Sequence, residues 1–282
     1  MSQILDGKLI ANKIKQNLKR EVEQLKREGI LPKLAVIMVG DDPSSKIYVK
    51  NKSIACAEIG IAYEEFLLND NTTMKQLLEL IEKLNKDNTV HGILLQSPIS
   101  KGLDINEAFK AIDDKKDVDG FNPCNVGKLC LGQDTFISCT PLGIIKLLEE
   151  YNINIEGKNA VVVGRSNIVG KPMLQCLLNK NATVTICHSK TIKLEDVTKK
   201  ADILVVAIGK PKFITKDMIK PGAVVIDVGI NRGEDQKLCG DVDFDEISQI
   251  ASYITPVPGG VGPMTIAMLM NNIVKAAKLK LS

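Results

Sequence analysis

Tryptophan is absent from the 282-residue chain, and aromatic side chains make up only 4% of it. That is too few for the stacking platforms that hold single-stranded nucleic acid. Histidine is nearly absent as well: His91 and His188 are the whole supply. The seven cysteines, at positions 56, 124, 130, 139, 176, 187 and 239, are odd in number and never spaced as Cys-x-x-Cys. With so few histidines and no cysteine pair, no metal site is predicted. The thiols read as small buried apolar groups in a reducing, cytoplasmic setting. No apolar run reaches the roughly 18 residues that a membrane span needs. The N-terminal stretch also lacks the continuous apolar segment of a signal peptide, so none is predicted. Charge is nearly balanced, with 37 Lys and Arg against 34 Asp and Glu for a net +3 and no basic cluster. That excludes a polyanion or an anionic membrane surface as partner.

What is present is the alternation of an α/β protein. The chain is 44% hydrophobic, and its length allows one large domain or two modest ones at roughly 100–200 residues each. Leu9, Ile10, Ile14, Leu18, Val22 and Leu25 recur mostly three or four apart and predict an amphipathic helix over 9–25. The run Leu34-Ala-Val-Ile-Met-Val39 predicts a strand buried on both faces. A helix over 44–60, a strand over 62–68, a helix over 73–86 and the strand Gly92-Ile-Leu-Leu-Gln96 follow. That order predicts a parallel sheet flanked by helices. Residues 113–139 are polar and punctuated by Pro123, Gly127 and Gly132, and read as a long functional loop and interdomain connection. Beyond them a helix is predicted over 141–150 and strands near 159–164, 182–187, 202–207 and 223–228, with a last helix over 263–280 opened by Pro263 at its first position.

Asn159-Ala-Val-Val-Val-Gly164, the turn Arg165-Ser-Asn-Ile-Val-Gly170-Lys-Pro172 and the strand Ala182-Thr-Val-Thr-Ile-Cys187 form a βαβ dinucleotide-binding unit. Small residues are needed there so that backbone amides can approach a pyrophosphate at the positive end of a helix. The pattern departs from G-x-G-x-x-G: Ser166 replaces the second glycine, and Gly170 comes one residue late. Taken alone the motif is weak, and an ordinary βαβ turn accounts for it in many α/β proteins. No acid follows the second strand, where NAD sites carry one for the ribose 2′-hydroxyl. The chain reads His188-Ser-Lys190 instead, so Arg165, Ser189 and Lys190 suit a 2′-phosphate, and NADP is favoured. His188 reads equally well as a polar cap at a strand end.

In the first half, Ser45, Tyr48 and Lys52 share one face of a predicted helix. Tyr48 can stack on a flat substrate, and a buried Lys52 can act as a base. From the spacing alone, a solvated lysine beside a half-buried tyrosine is the better reading, because the helix also carries Lys46 and Lys50. Gln96 ends a strand, where ligands bind in open α/β sheets. Asp117 and Asp119 offer a carboxylate to the same crevice, or form a solvated acidic loop.

Together these pieces resemble the bifunctional methylenetetrahydrofolate dehydrogenase/methenyltetrahydrofolate cyclohydrolase family. The carriers are Pro43-Ser-Ser-Lys-Ile-Tyr48-Val-Lys-Asn-Lys52, Gly92-Ile-Leu-Leu-Gln96, Lys116-Asp-Val-Asp-Gly-Phe-Asn-Pro123, Cys139-Thr-Pro141, the phosphate turn itself, Asp227-Val-Gly-Ile-Asn231, Gly240-Asp-Val-Asp243 and Thr255-Pro-Val-Pro-Gly-Gly-Val-Gly-Pro-Met-Thr265. They run nearly end to end. Small departures are Ser97-Pro-Ile-Ser100 after Gln96 and Ser138 before Cys139.

The resemblance implies oxidation of 5,10-methylenetetrahydrofolate with NADP, then hydrolysis of the methenyl cation to 10-formyltetrahydrofolate in the same site. It implies that Lys52 is the central catalytic residue, that Tyr48 stacks on the folate and that Gln96 orients Lys52. Asp119 binds the pterin and Ser45 supports the network. Gly262 and Pro263 belong to a loop over the folate. Arg165, Ser166 and Ser189 contact the cofactor and Ile230 the nicotinamide; Gly164, Gly170 and His188, read from the turn itself, complete the cofactor-binding set. It further implies a role in one-carbon metabolism and purine biosynthesis, and a homodimer. Two α/β domains with parallel sheets are predicted across a cleft: residues 1–138 with 264–282 for folate and catalysis, and 139–263 as a Rossmann-like NADP domain. The alternatives are another NADP-dependent dehydrogenase of similar build, such as a shikimate-type enzyme, or a non-catalytic nucleotide-sensing module.

Overall fold

The computed structural model describes residues 2–233 and 236–281. The chain divides into two compact units, Lys13–Cys139 with Ile266–Ser282, and Met1–Asn12 with Thr140–Thr265. In chain order the elements are β1 (Gln3–Ile4), α1 (Gly7–Arg27), β2 (Lys33–Val39), α2 (Pro43–Ile59), β3 (Ala62–Leu68), α3 (Met74–Lys86), β4 (Gly92–Leu95), α4 (Ile105–Ala111), α5 (Pro123–Cys130) and α6 (Cys139–Glu150). There follow β5 (Asn159–Val163), α7 (Gly170–Leu178), β6 (Thr183–Cys187), α8 (Leu194–Thr198), β7 (Ile203–Val206), β8 (Val224–Asp227), β9 (Asn231–Arg232), β10 (Leu238–Cys239), α9 (Phe244–Ile247), β11 (Tyr253–Ile254) and α10 (Val261–Lys278).

The unit of Lys13–Cys139 and Ile266–Ser282 is built on a parallel sheet of order β3-β2-β4. Ala35, Ile37 and Val39 of β2 pack with Leu77, Ile81 and Leu84 of α3 and with Phe109 of α4. The alternate residues Leu34, Val36 and Met38 are buried too. Burial on both faces explains why β2 reads as an unbroken apolar run. The α3 helix opens with a capping box, Thr73 and Gln76 bonding reciprocally. Its C-terminal turn is held by Lys116, whose Nζ donates to the carbonyls of Leu84, Asn85 and Asp87 at 3.0, 2.7 and 2.7 Å. A cation there satisfies carbonyls that the helix leaves unpaired.

The other unit carries a six-stranded sheet of order β1-β11-β8-β7-β5-β6 with parallel pairings throughout, and a small β9-β10 ribbon. Its core gathers Val161, Val163, Leu204, Val206 and Val225 from the central strands.

The strand β1 pairs with β11, Gln3 opposite Tyr253, at the edge of the six-stranded sheet, so the compact unit built on that sheet takes in the first residues of the chain. Two residues lack a periodic signature, so sequence alone did not reveal the strand. Three expectations need correction. Residues 113–139 are not a loop between domains. They lie within one unit and contain α5, capped by the Asn122 side chain, which accepts from Cys124 N at 2.7 Å. The last helix begins at Val261, so Pro263 is its third residue, where a missing amide still costs no intrahelical bond. The cysteines are not uniformly buried: Cys124 and Cys130 are exposed. Among the described residues no helix is long and apolar enough to cross a membrane.

Candidate active site and dinucleotide turn

The residues of the first constellation lie on α2 and at the end of β4. Asp42 caps α2 by accepting from Ser45 N at 2.7 Å, with Pro43 in the first turn. The helix then carries Ser45, Tyr48 and Lys52 up one face. Lys52 Nζ donates to Gln96 Oε1 at 2.8 Å. Gln96 is held in turn: its backbone amide donates to Ile37 O at 2.8 Å, continuing the ladder, and its Nε2 donates to Ser97 O at 2.7 Å. A buried, doubly anchored amide thus presents its oxygen to the lysine. Tyr48 is 44% exposed, one turn before Lys52. Ser45 is 2% exposed, and its hydroxyl has no hydrogen-bond partner among the described residues, an unmet bond in a buried place.

Burial pushes the Lys52 ammonium down from the usual lysine range, while the negative charge of Asp119 pulls it back up. Burial pushes the Asp119 carboxyl up, against the stabilising charge of Lys52 and a hydrogen bond from the Cys139 thiol. The Cys139 Sγ lies 3.7 Å from Asp119 Oδ1 and 3.4 Å from Val118 O. Cys139 is raised well above the ordinary thiol value and Cys56 to about 12, chiefly by burial, so both stay protonated donors. The site therefore couples an amine driven toward its neutral form with a carboxyl beside it.

Asp117 takes a different part from the one its spacing offered. It is 2% exposed and accepts from Phe121 N, Asn122 N and Asn125 Nδ2 at 3.2, 2.8 and 2.8 Å. Its oxygens organise the following turn and α5, which leaves Asp119 as the carboxylate beside Lys52.

In the dinucleotide unit, backbones approach too closely for side chains. Gly164 has φ +125°, and a Cβ there would lie 2.2 Å from Ala207 O. A Cβ on Gly170 would lie 2.1 Å from Gly164 O. Ser166 Oγ accepts from Val169 N and Gly170 N at 3.1 and 3.3 Å, so this serine caps α7 where the usual pattern has glycine. Arg165, Ser166, Ser189 and Lys190 are exposed. His188 holds its own turn: its amide donates to Thr191 Oγ1 at 2.9 Å, and its Nδ1 accepts from Lys190 N at 3.1 Å. The turn between β6 and α8 carries two lysines and no acid. A glycine cradle flanked by Arg165, Ser189 and Lys190 fits a phosphorylated dinucleotide.

Ile230 is half exposed, and a Cβ built on Gly262 would come 3.8 Å from its Cδ1, so these two lie side by side. Pro263 follows, half-buried, in the first turn of α10.

Sequence reasoning missed the aspartates that shape the loops around Ile230. The buried Asp241 carboxylate accepts from the amides of Ile208, Gly209 and Lys210 at 2.7, 3.0 and 2.8 Å, and from Asn231 Nδ2 at 2.8 Å. Asp227 accepts from Gly229 N, Asp241 N and Val242 N at 3.0, 2.9 and 3.0 Å. Burial raises it to about 6, against those amide bonds. A Cβ on Gly240 would fall on the Asp227 carboxylate and one on Gly229 on that of Asp241. The pairing of Asp227-Val-Gly-Ile-Asn231 with Gly240-Asp-Val-Asp243 was the available signal. Among the described residues no group of three or more His, Cys, Asp or Glu is placed to hold a metal ion.

Comparison with known proteins agrees in both halves. Residues 5–119 match the tetrahydrofolate dehydrogenase/cyclohydrolase catalytic domain, and residues 138–281 match the NAD(P)-binding domain of the same family. The bifunctional protein FolD of Acetivibrio thermocellus is 60% identical, over 99% of this chain and 98% of its own. The crystal structure of the bifunctional FolD dehydrogenase/cyclohydrolase from Campylobacter jejuni superposes with a TM-score of 0.98 at 52% identity, covering 99% of this chain and 100% of that one. The FolD of Trypanosoma brucei, solved with NADP cofactor and inhibitor, gives 0.94 at 36% identity, covering 99% and 98%. A shikimate dehydrogenase from Aquifex aeolicus shares the fold alone, with a TM-score of 0.53 at 14% identity. The chain belongs to the tetrahydrofolate dehydrogenase/cyclohydrolase family.

Proposed function

We propose that the chain oxidises 5,10-methylenetetrahydrofolate to 5,10-methenyltetrahydrofolate with NADP, then hydrolyses that cation to 10-formyltetrahydrofolate in the same site. The observation that carries this reading is the hydrogen bond from Lys52 Nζ to the anchored Gln96, in a place where burial drives the amine toward its neutral form. Gly164, Arg165, Ser166, Gly170, His188 and Ser189 would hold NADP at the glycine turn and Ile230 would meet its nicotinamide; the bound cofactor would supply hydride acceptance.

The remaining chemistry falls to side chains. Oxidation leaves a cation, which disfavours a second positive charge nearby and favours neutral Lys52 further. Water then adds to the methenyl carbon, and the Lys52 amine takes the proton the water gives up. The adduct's hydroxyl then gives up its proton as it becomes the formyl carbonyl, one carbon–nitrogen bond breaks, the departing nitrogen takes up the proton that Lys52 holds, and the formyl group stays on the other nitrogen. Gln96 keeps the lysine lone pair aimed, and Tyr48 stacks on the folate. Asp119 binds the pterin, the Ser45 hydroxyl supports the network, and Gly262 and Pro263 contribute to folate binding. A shikimate-type dehydrogenase would leave Lys52, Gln96 and Tyr48 without a common purpose. A nucleotide sensor would have no use for a depressed lysine. We further propose that the chain works as a cytoplasmic homodimer and supplies one-carbon units for purine biosynthesis.

Ultraviolet absorbance tests the reaction. With methylenetetrahydrofolate and NADP the methenyl signal should appear, and then decay faster than its buffer rate. NAD should serve less well. No methenyl signal with either cofactor contradicts the assignment.

A further inference from the structure

Asn272 is a buried polar residue on α10 that the proposed reaction does not use. It is 1% exposed. Its Nδ2 donates to Val118 O at 2.8 Å and Ile137 O at 3.1 Å, and lies 3.7 Å from Cys139 Sγ. All three acceptors adjoin the turn that carries Asp119 and Gly120. Val118 precedes it in the chain, and the Cys139 thiol reaches both Val118 O and the Asp119 carboxylate. On the other side Gly120 has φ +71°, and a Cβ there would lie 2.7 Å from Ile137 C and Ser138 N. The 136–138 backbone therefore presses directly on the turn that carries Asp119. One turn further along α10, Lys275 Nζ donates to Asp134 Oδ1 at 2.5 Å and to Thr135 O at 2.8 Å. Residues three apart on a helix share a face, so α10 grips the 134–139 segment at two points. Only the inner one touches the Asp119 turn.

A buried amide is costly unless its hydrogen bonds are made, and an apolar side chain of the same shape would pack there without that requirement. What the amide adds is direction. Among the described residues the Asp119 carboxylate receives only a weak thiol hydrogen bond, so its backbone anchor determines where the carboxylate points.

We infer that Asn272 is a positioning residue, which sets the Asp119 carboxylate relative to Lys52 by holding Val118 and Cys139. This rests on the reading of Asp119 as a folate-binding group. Misplacement by about 1 Å can cost up to about 10²-fold in rate.

The test uses the full chain with Asn272→Leu, Asp119→Asn, the double variant, and Lys275→Met as a packing control. Melting temperature, NADP KM and folate KM in both reactions are read for each. Asn272→Leu should raise folate KM in both reactions on the order of tenfold and leave NADP KM unchanged. The double variant should be no worse than Asp119→Asn, because coupled residues do not add. Lys275→Met should lower the melting temperature only. If Asn272→Leu lowers the melting temperature while folate KM stays within about twofold of wild type, the role is structural and the proposal is overturned. Full additivity with Asp119→Asn overturns it too. If Asp119→Asn leaves folate KM unchanged in an otherwise active enzyme, the Asp119 assignment falls and the proposal with it. A wild type lacking both reactions overturns the functional reading itself. Should the leucine variant not fold, Asn272→Ser, which keeps one donor, is read by the same criteria.

Discussion

At Lys52 two opposing influences meet. Burial favours the free amine, and the negative charge of Asp119 favours the ammonium. Burial dominates, so the lysine titrates below its usual range. A base works only in its neutral form, so hydrolysis should fall as pH drops through that lowered value and level off above it. Hydride transfer moves no proton and should lack this limb. The check is to measure kcat against pH for both reactions on the same preparation. Parallel profiles would show that the lysine does not titrate in the hydrolytic step. The spacing of Ser45, Tyr48 and Lys52 was visible in the sequence because helix geometry puts such residues on one face. The choice between Asp117 and Asp119 was not. Two aspartates two apart look alike until the amides of Phe121 and Asn122 are seen to converge on the first.

At the scale of elements, the odd phosphate turn is explained by its own packing. Ser166 caps α7 where a glycine is usual, and Gly170 comes late because it must pass against Gly164. Gly170→Ala places a methyl 2.1 Å from a carbonyl oxygen. Overpacking of this kind costs about 1–3 kcal/mol. The melting temperature should fall and NADP KM should rise, while hydrolysis of methenyl-folate supplied directly should keep most of its rate. Equal losses in the two reactions would contradict the separate role given to this turn. The strands β2, β4, β5 and β7 were legible because buried parallel strands are continuous apolar runs. The short strands β1 and β11 were not, being too brief to show a period and defined only by their pairing at the sheet edge, β1 on β11 and β11 on β8. The Asp227 and Asp241 networks stayed hidden for a related reason: apart from Asn231, the partners of their carboxylates are backbone amides, which have no letter in a sequence.

For the whole molecule, the family matches, the glycine cradle and the Lys52–Gln96 pair describe an enzyme with two consecutive reactions and different needs in each. Oxidation needs the dinucleotide turn and a well-held folate. On the proposed reading, hydrolysis needs the held folate and a neutral amine, and not the dinucleotide turn. The central claim is that one lysine separates the two. Initial rates of both reactions in Lys52→Met test it most directly, with folate and NADP binding measured alongside. A positioned base contributes about 10²–10⁴-fold, so hydrolysis should fall by that order while part of the dehydrogenase activity survives. Equal loss of both activities with binding intact would contradict a special hydrolytic role for Lys52.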